Sequence, residues 1–153
     1  FVVYSVTGHH AMEWMDRGKS FLFADSLLIT QADRVRFHIR PNRLISGIER
    51  IHYNESAFVQ GIPGGRLYSW KGKTFLQLTS PDFSLPENLK IDYVIISYNS
   101  VRSLTLLRTI DFKHIIIDSS NVYYNANRLI KEAEQLQLPV YSVLQHGAFS
   151  IKL

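Results

Sequence analysis

The chain has 153 residues, 46% of them hydrophobic and 20% charged, a balance that supports one packed domain and excludes a disordered or low-complexity protein. It has no Cys, which removes disulfides, thiolate metal sites and cysteine nucleophiles together. The formal charge of +4 gives mild attraction to polyanions, and no apolar run nears the roughly 18 residues that cross a bilayer.

Phe1 opens inside the β-branched and aromatic run Phe1 to Val6, which predicts a strand ending at Gly8. With no initiator Met and no signal peptide, the chain reads as a piece of a longer protein. Ala11 to Met15 and Ser20 to Ala24 flank Asp16-Arg17-Gly18-Lys19, a hairpin pattern. Leu28, Ala32, Val35 and Ile39 then recur at helical steps, so one helix is expected until Pro41 stops or kinks it. A short helical turn over Arg43 to Ile48 follows. Residues 54 to 65 carry Asn54, Gly61, Pro63, Gly64 and Gly65 and read as a flexible loop, since no P-loop Lys-Ser/Thr accompanies the glycines. Arg66 to Trp70 and Thr74 to Leu78 form a second hairpin around Lys71-Gly72-Lys73, and Pro81 and Pro86 bracket another loop.

The last third alternates. Tyr93 to Ile96 and His114 to Ile117 are apolar strands, with a short helix over Leu104 to Ile110 between them. A helix capped by Ser120 or Asn121 runs to Leu136, with Val122, Ala126, Leu129, Ala133 and Leu136 on one face. Val140 to Leu144 and Ala148 to Leu153 close the chain as a hairpin. The pattern is α/β, with hairpins in the first half and parallel crossover units in the second.

Candidate chemistry is sparse. There is no H-x-H-x-D-H, H-E-x-x-H or G-x-S-x-G. His9 and His10 are adjacent, and neighbours on an extended segment point to opposite faces, so a polar turn is favoured over a metal site there. His114 is expected at the edge of the core and His146 in solvent at a hairpin tip. The turn Asp118-Ser119-Ser120 lies where open α/β sheets hold ligands, although capping the following helix is the simpler role. Arg34, Arg36, Arg40, Arg43 and Arg50 form a basic stretch opposed only by Asp33 and Glu49. Arg36 and Arg40 are neighbours on one helical face. Trp70, Lys71 and Lys73 pair an aromatic with cations, a combination suited to single-stranded nucleic acid.

FHIRPNRL (Phe37 to Leu44), IDYVIISYNS (Ile91 to Ser100), HIIIDSSN (His114 to Asn121) and VLQHGAFSIKL (Val143 to Leu153) together resemble the C-terminal domain of ComEC-family competence proteins, particularly the Bacteroidetes-type variant. The resemblance implies a metallo-β-lactamase-like αββα sandwich, here reduced, at the C-terminus of a polytopic inner-membrane channel for uptake of single-stranded DNA. It also implies a soluble domain on the periplasmic, extracytoplasmic side, with residues 1–153 forming one unit. Catalytic members carry H-x-H-x-D-H, a Gly-Asp after the middle hairpin and a His-His-Gly-Ser after the next strand. This chain has no such first motif, Thr79-Ser80 at the second place and Ser97-Tyr98-Asn99-Ser100 at the third, where only the serine survives, so that Tyr98, Asn99, Thr79 and Ser80 stand at degenerate family ligand positions.

The expectation is therefore a non-catalytic accessory domain, without metal or other cofactor, in DNA uptake during natural transformation. Its partners would be the channel portion of the same protein, another competence protein, or single-stranded DNA held through Arg34, Arg36, Arg40, Arg43, Lys71 and Lys73. Two alternatives stand beside it: a residual metal-dependent nuclease using His9 and His10, and a ligand- or partner-binding α/β module using the Asp118-Ser119-Ser120 turn.

Overall fold

A computed structural model describes residues 1–54, 58–85 and 89–153. Strands β1 (Val2–Val3), β2 (Ala11–Asp16) and β3 (Lys19–Ala24) are followed by helices α1 (Ser26–Thr30), α2 (Ala32–His38) and α3 (Arg40–Ile45). Then come β4 (Arg50–Tyr53), β5 (Val59–Ile62), β6 (Gly65–Trp70), β7 (Lys73–Leu78) and β8 (Lys90–Ile96). A 3-10 turn at Leu104–Leu107 leads to β9 (Asp111–Ile117), α4 (Tyr123–Gln135), β10 (Val140–Ser142), α5 (Val143–His146) and β11 (Phe149–Ser150). One sheet has the order β11-β1-β2-β3-β4 and the other β10-β9-β8-β7-β6-β5.

Three apolar clusters stack these elements into four layers. Between the sheets, Val3, Met12, Trp14 and Phe23 of the first meet Tyr68, Phe75, Ile95 and Ile116 of the second. Trp14 is fully buried there, stacked on Tyr68 with ring centroids 4.7 Å apart. Outside the first sheet, Val2, Ala11 and Leu22 pack against Leu28 and Ile39. Outside the second, Leu76, Val94, Ile96, Ile115 and Ile117 pack against Leu104, Leu107, Ala126, Leu129 and Ala133. The architecture is an αββα sandwich, because both sheets bury both faces and each outer face needs a helical cover.

Several boundaries differ from the sequence expectation. The opening strand pairs only over Val2–Val3. The single helix over 28 to 39 is two helices, broken where Gln31 takes a non-helical ψ of 83°. The apolar period survives the break because Leu28 and Ile39 pack on the same sheet. α2 does end before Pro41, at His38, but helix resumes at once: Pro41 sits in the first turn of α3, where its missing N–H is no loss. β3 and β4 are parallel, joined across these helices, so the first half also contains a crossover. The expected loop over 54 to 65 contains β5, which pairs with β6 across Pro63-Gly64; residues 55–57 lie outside the described residues, as does Pro86. The short helix before β9 is a 3-10 turn that ends at Leu107. No side chain caps α4, whose N-cap position is Val122, so neither Ser120 nor Asn121 has the expected role. The closing hairpin does not form: β10 runs parallel to β9 in one sheet, α5 turns the chain, and β11 crosses to pair with β1 in the other.

Gly64 is fixed by space and by its φ of +72°: a Cβ there would stand 2.6 Å from the Phe83 Cα. Gly61, one strand back, has nothing within 4 Å of its would-be Cβ. Gly64→Ala should lower the stability measured by urea unfolding by about 2 kcal/mol or more, and Gly61→Ala should change it by less than about 1 kcal/mol.

Candidate functional site

Strand alternation decides where the polar residues gather. Met12, Phe23, Tyr68, Phe75, Ile95 and Ile116 face the space between the sheets. Two residues away on each strand, before Met12 and Tyr68 and after the other four, the same faces carry His10, Asp25, Arg66, Gln77, Ser97 and Asp118 at one end of the sandwich. The sandwich thus changes from aromatic to polar at that end. His10, Asp25, Asn54, Arg66, Gln77, Thr79 and Tyr98 line a cleft there of about 360 Å³.

Asp118 is the hub. It is fully buried, and its Oδ2 accepts from the Ser97 hydroxyl at 2.5 Å and from His10 Nδ1 at 3.0 Å. Its Oδ1 accepts from the Ser120 backbone N–H at 3.0 Å, the Ser120 hydroxyl at 2.5 Å and Asn121 Nδ2 at 3.2 Å. Gln77 Nε2 lies 3.1 Å from both His10 Nε2 and Ser97 Oγ. An amide nitrogen only donates, so His10 Nε2 accepts and the ring hydrogen sits on Nδ1, toward Asp118. The Tyr68 hydroxyl donates to Gln77 Oε1 at 2.8 Å, and burial pushes its pKa up to about 12.

A second carboxylate stands nearer the surface. Asp25 Oδ2 accepts from the His10 backbone N–H and from His9 Nδ1, each at 3.0 Å. Its Oδ1 accepts from the Tyr98 hydroxyl, whose pKa is raised by burial first and by Asp25 second. His9 and His10 therefore address different carboxylates. Tyr98 and Asn99 are both left-handed, with φ of 54° and 55°. The Tyr98 N–H donates to Ser120 Oγ, the Asn99 N–H donates to Asn121 Oδ1, and Asn99 Oδ1 accepts from the Val122 N–H. Ser119 Oγ accepts from the Val6 N–H and lies 3.0 Å from the His9 carbonyl. The groups of the Asp118-Ser119-Ser120 turn thus join segments of the protein to one another.

Of the residues singled out by resemblance, Tyr98 and Thr79 come together on the cleft rim, whereas Asn99 braces the start of α4 and Ser80 accepts from the Asp82 N–H. The basic residues separate. Arg34, Arg36 and Arg40 are exposed, and Arg34 reaches the cleft end of the molecule through the Thr7 carbonyl. Lys71 and Lys73 are at the opposite end, paired with Asp16 at 2.8 Å and Asp92 at 3.4 Å. Lys113 also bonds Asp92 and, with the Thr74 N–H and Lys73, holds that carboxyl down to about 2.

Arg43 is a correction. It is buried, and its Nε donates to Glu13 Oε1 at 2.7 Å beneath α3, so it does not face a phosphate. The Tyr4 hydroxyl donates to Glu13 Oε2 at 2.5 Å, and its pKa is raised by burial and by that carboxylate. His114 and His146 are both exposed, each against a tyrosine ring, and His146 ends α5, where a hairpin tip was expected.

The family profile for the ComEC C-terminal domain matches residues 1–153. The chain belongs to the ComEC C-terminal domain family. Membership ties it to competence DNA uptake and to the context of a membrane channel. Among the described residues, no helix is long and apolar enough to cross a membrane. Comparison with curated proteins and with solved structures gives no match.

The rim does not fit a metal ion. Both ring nitrogens of His10 and both oxygens of Asp118 and of Asp25 are engaged within the protein. Among the described residues no three His, Asp or Glu side chains converge as a ligand set.

Because Arg43 and Glu13 form a buried pair, Arg43→Met should destabilise the fold by roughly 3–5 kcal/mol in urea unfolding. Adding Glu13→Gln should recover much of the loss, since no uncompensated charge then remains buried.

Proposed function

We propose that this is a non-catalytic accessory domain of a ComEC-type DNA uptake channel, a metallo-β-lactamase-like sandwich whose former metal rim is now a closed hydrogen-bond network. The observation that carries the proposal is Asp118: a carboxylate that accepts from Ser97, His10, Ser120 and Asn121 has no lone pair left for a cation. Tyr98 and Thr79 occupy the rim where catalytic relatives are expected to carry ligands.

The domain should bind neither Zn²⁺ nor Mn²⁺ stoichiometrically. It should also cleave neither single- nor double-stranded DNA when either metal is supplied. Elemental analysis of the purified chain and a gel assay of labelled DNA check both statements, and a bound equivalent of metal or metal-dependent cleavage would overturn the proposal.

The same rim supports contact with single-stranded DNA. Tyr98, Tyr123 and Tyr124 are exposed, on two segments joined by the Asn99–Asn121 and Asn99–Val122 bonds. Arg66 lines the cleft, has no carboxylate partner among the described residues, and supplies a phosphate contact. In fluorescence anisotropy, Tyr124→Ala should weaken binding of a single-stranded oligonucleotide about tenfold. Arg66→Gln should reduce the slope of log affinity against log salt by about 0.7.

A further inference from the structure

The helical cover of the first sheet has an unusual outer surface. Ile39 stays right-handed between α2 and α3, with φ −111° and ψ −48°, and the Ile39 N–H donates to the Val35 carbonyl, so the two helices continue one another. Val35, Ile39 and Arg43, at steps of four, face the sheet. The opposite side of a helix normally carries charge. Here it carries Phe37, Pro41, Leu44 and Ile45, and Phe37 is 70%, Leu44 71% and Ile45 87% exposed.

Cations flank this apolar stripe. Arg36 and Arg40 run along one side and border a groove of about 480 Å³ that also takes in Leu44, Ile48 and Ile51; Arg34 and His38 run along the other. None of the three arginines has a carboxylate partner among the described residues. Cations alone would suit DNA phosphate, but largely exposed aliphatic side chains such as Leu44 and Ile45 gain nothing from a phosphodiester backbone. Apolar side chains that enter the headgroup boundary, between arginines that meet lipid phosphate, are the chemistry of an interfacial helix on an anionic bilayer.

We propose that the α2–α3 face docks this domain on an anionic phospholipid surface, inserting Phe37, Leu44 and Ile45 between Arg34, Arg36 and Arg40. The inference is independent of the non-catalytic assignment and uses a different face from the DNA rim. Docking here would leave the cleft end to its own partner.

The test is co-sedimentation of the 153-residue chain with phosphatidylcholine vesicles, with and without phosphatidylglycerol. The chain should pellet with the anionic vesicles only, and less as salt rises. Phe37→Ser with Ile45→Ser should lower the partition about tenfold. Arg36→Gln with Arg40→Gln should lower it roughly thirtyfold. The thermal unfolding midpoint and the single-stranded DNA affinity should stay unchanged in both variants.

Equal pelleting on neutral and anionic vesicles would overturn the proposal, as would no pelleting on either or indifference to both double variants. Concentration-dependent dimerisation abolished by Phe37→Ser with Ile45→Ser would give the face to a second copy. Loss of DNA affinity in Arg36→Gln with Arg40→Gln, with vesicle binding intact, would give it to DNA. Failure of the Arg66 and Tyr124 predictions would leave the vesicle result standing, so the two proposals fail separately.

Discussion

The buried carboxylate of Asp118 is the constraint on which the cleft end of the sandwich depends. A charge with no exposure is costly unless every lone pair is met, and here the donors come from three separate segments. Ser97 follows β8, Ser120 and Asn121 precede α4, and His10 arrives from the opposite sheet. Gln77 of β7 closes the ring between His10 and Ser97. One carboxylate therefore sets the position of three adjacent strand ends and ties them to the other sheet. Members of such a network polarise one another, so loss of any donor leaves the others short in a low-dielectric setting.

The left-handed pair Tyr98-Asn99 follows from this. Non-glycine residues with positive φ persist only where the surroundings hold them, at a cost of roughly 1–3 kcal/mol each. The holders are the Ser120 hydroxyl and the Asn121 and Asn99 amide oxygens, and Ser120 and Asn121 are themselves held by Asp118. The rim turn that directs the Tyr98 hydroxyl to Asp25 is thus a consequence of the hub, two bonds removed.

Much of this was legible in the chain and some of it was missed for definable reasons. The two hairpins announce themselves through alternation and turn residues, and the buried strands through unbroken Ile and Val. The cleft residues were legible too: the inward parity set by Phe23, Phe75 or Ile116 leads two positions on, and that set by Met12 two positions back, to a polar side chain. Arg43 was hidden because Pro41 suggests a stop, although the inward series of Val35 and Ile39 reaches Arg43 at the next step of four. Glu13, a carboxylate between Met12 and Trp14 in a strand covered on both sides, was the sign that some cation had to be buried with it. The fate of residues 140 to 153 could not be read. Two β-prone runs around a glycine look the same whether they pair with each other or complete different sheets, and only the free edges beside β9 and β1 decide it.

On the proposed function, the replacements at the rim have a common chemical sense. A metal site gathers carboxylates and imidazoles whose lone pairs converge, and without the cation that arrangement is repulsive and unpaired. Ser97, Gln77 and Tyr98 bring hydroxyl and amide hydrogens to the lone pairs a cation would have taken: Ser97 to Asp118, Gln77 to His10, Tyr98 to Asp25. Each exchange makes the rim stable without metal and less able to accept one. Reversal by a single substitution would expose one lone pair and leave the remaining donors facing it. The network is therefore a stable end state, and it keeps the shape of the cleft, with Arg66 and Tyr98 on its rim, which is what the proposed binding role requires.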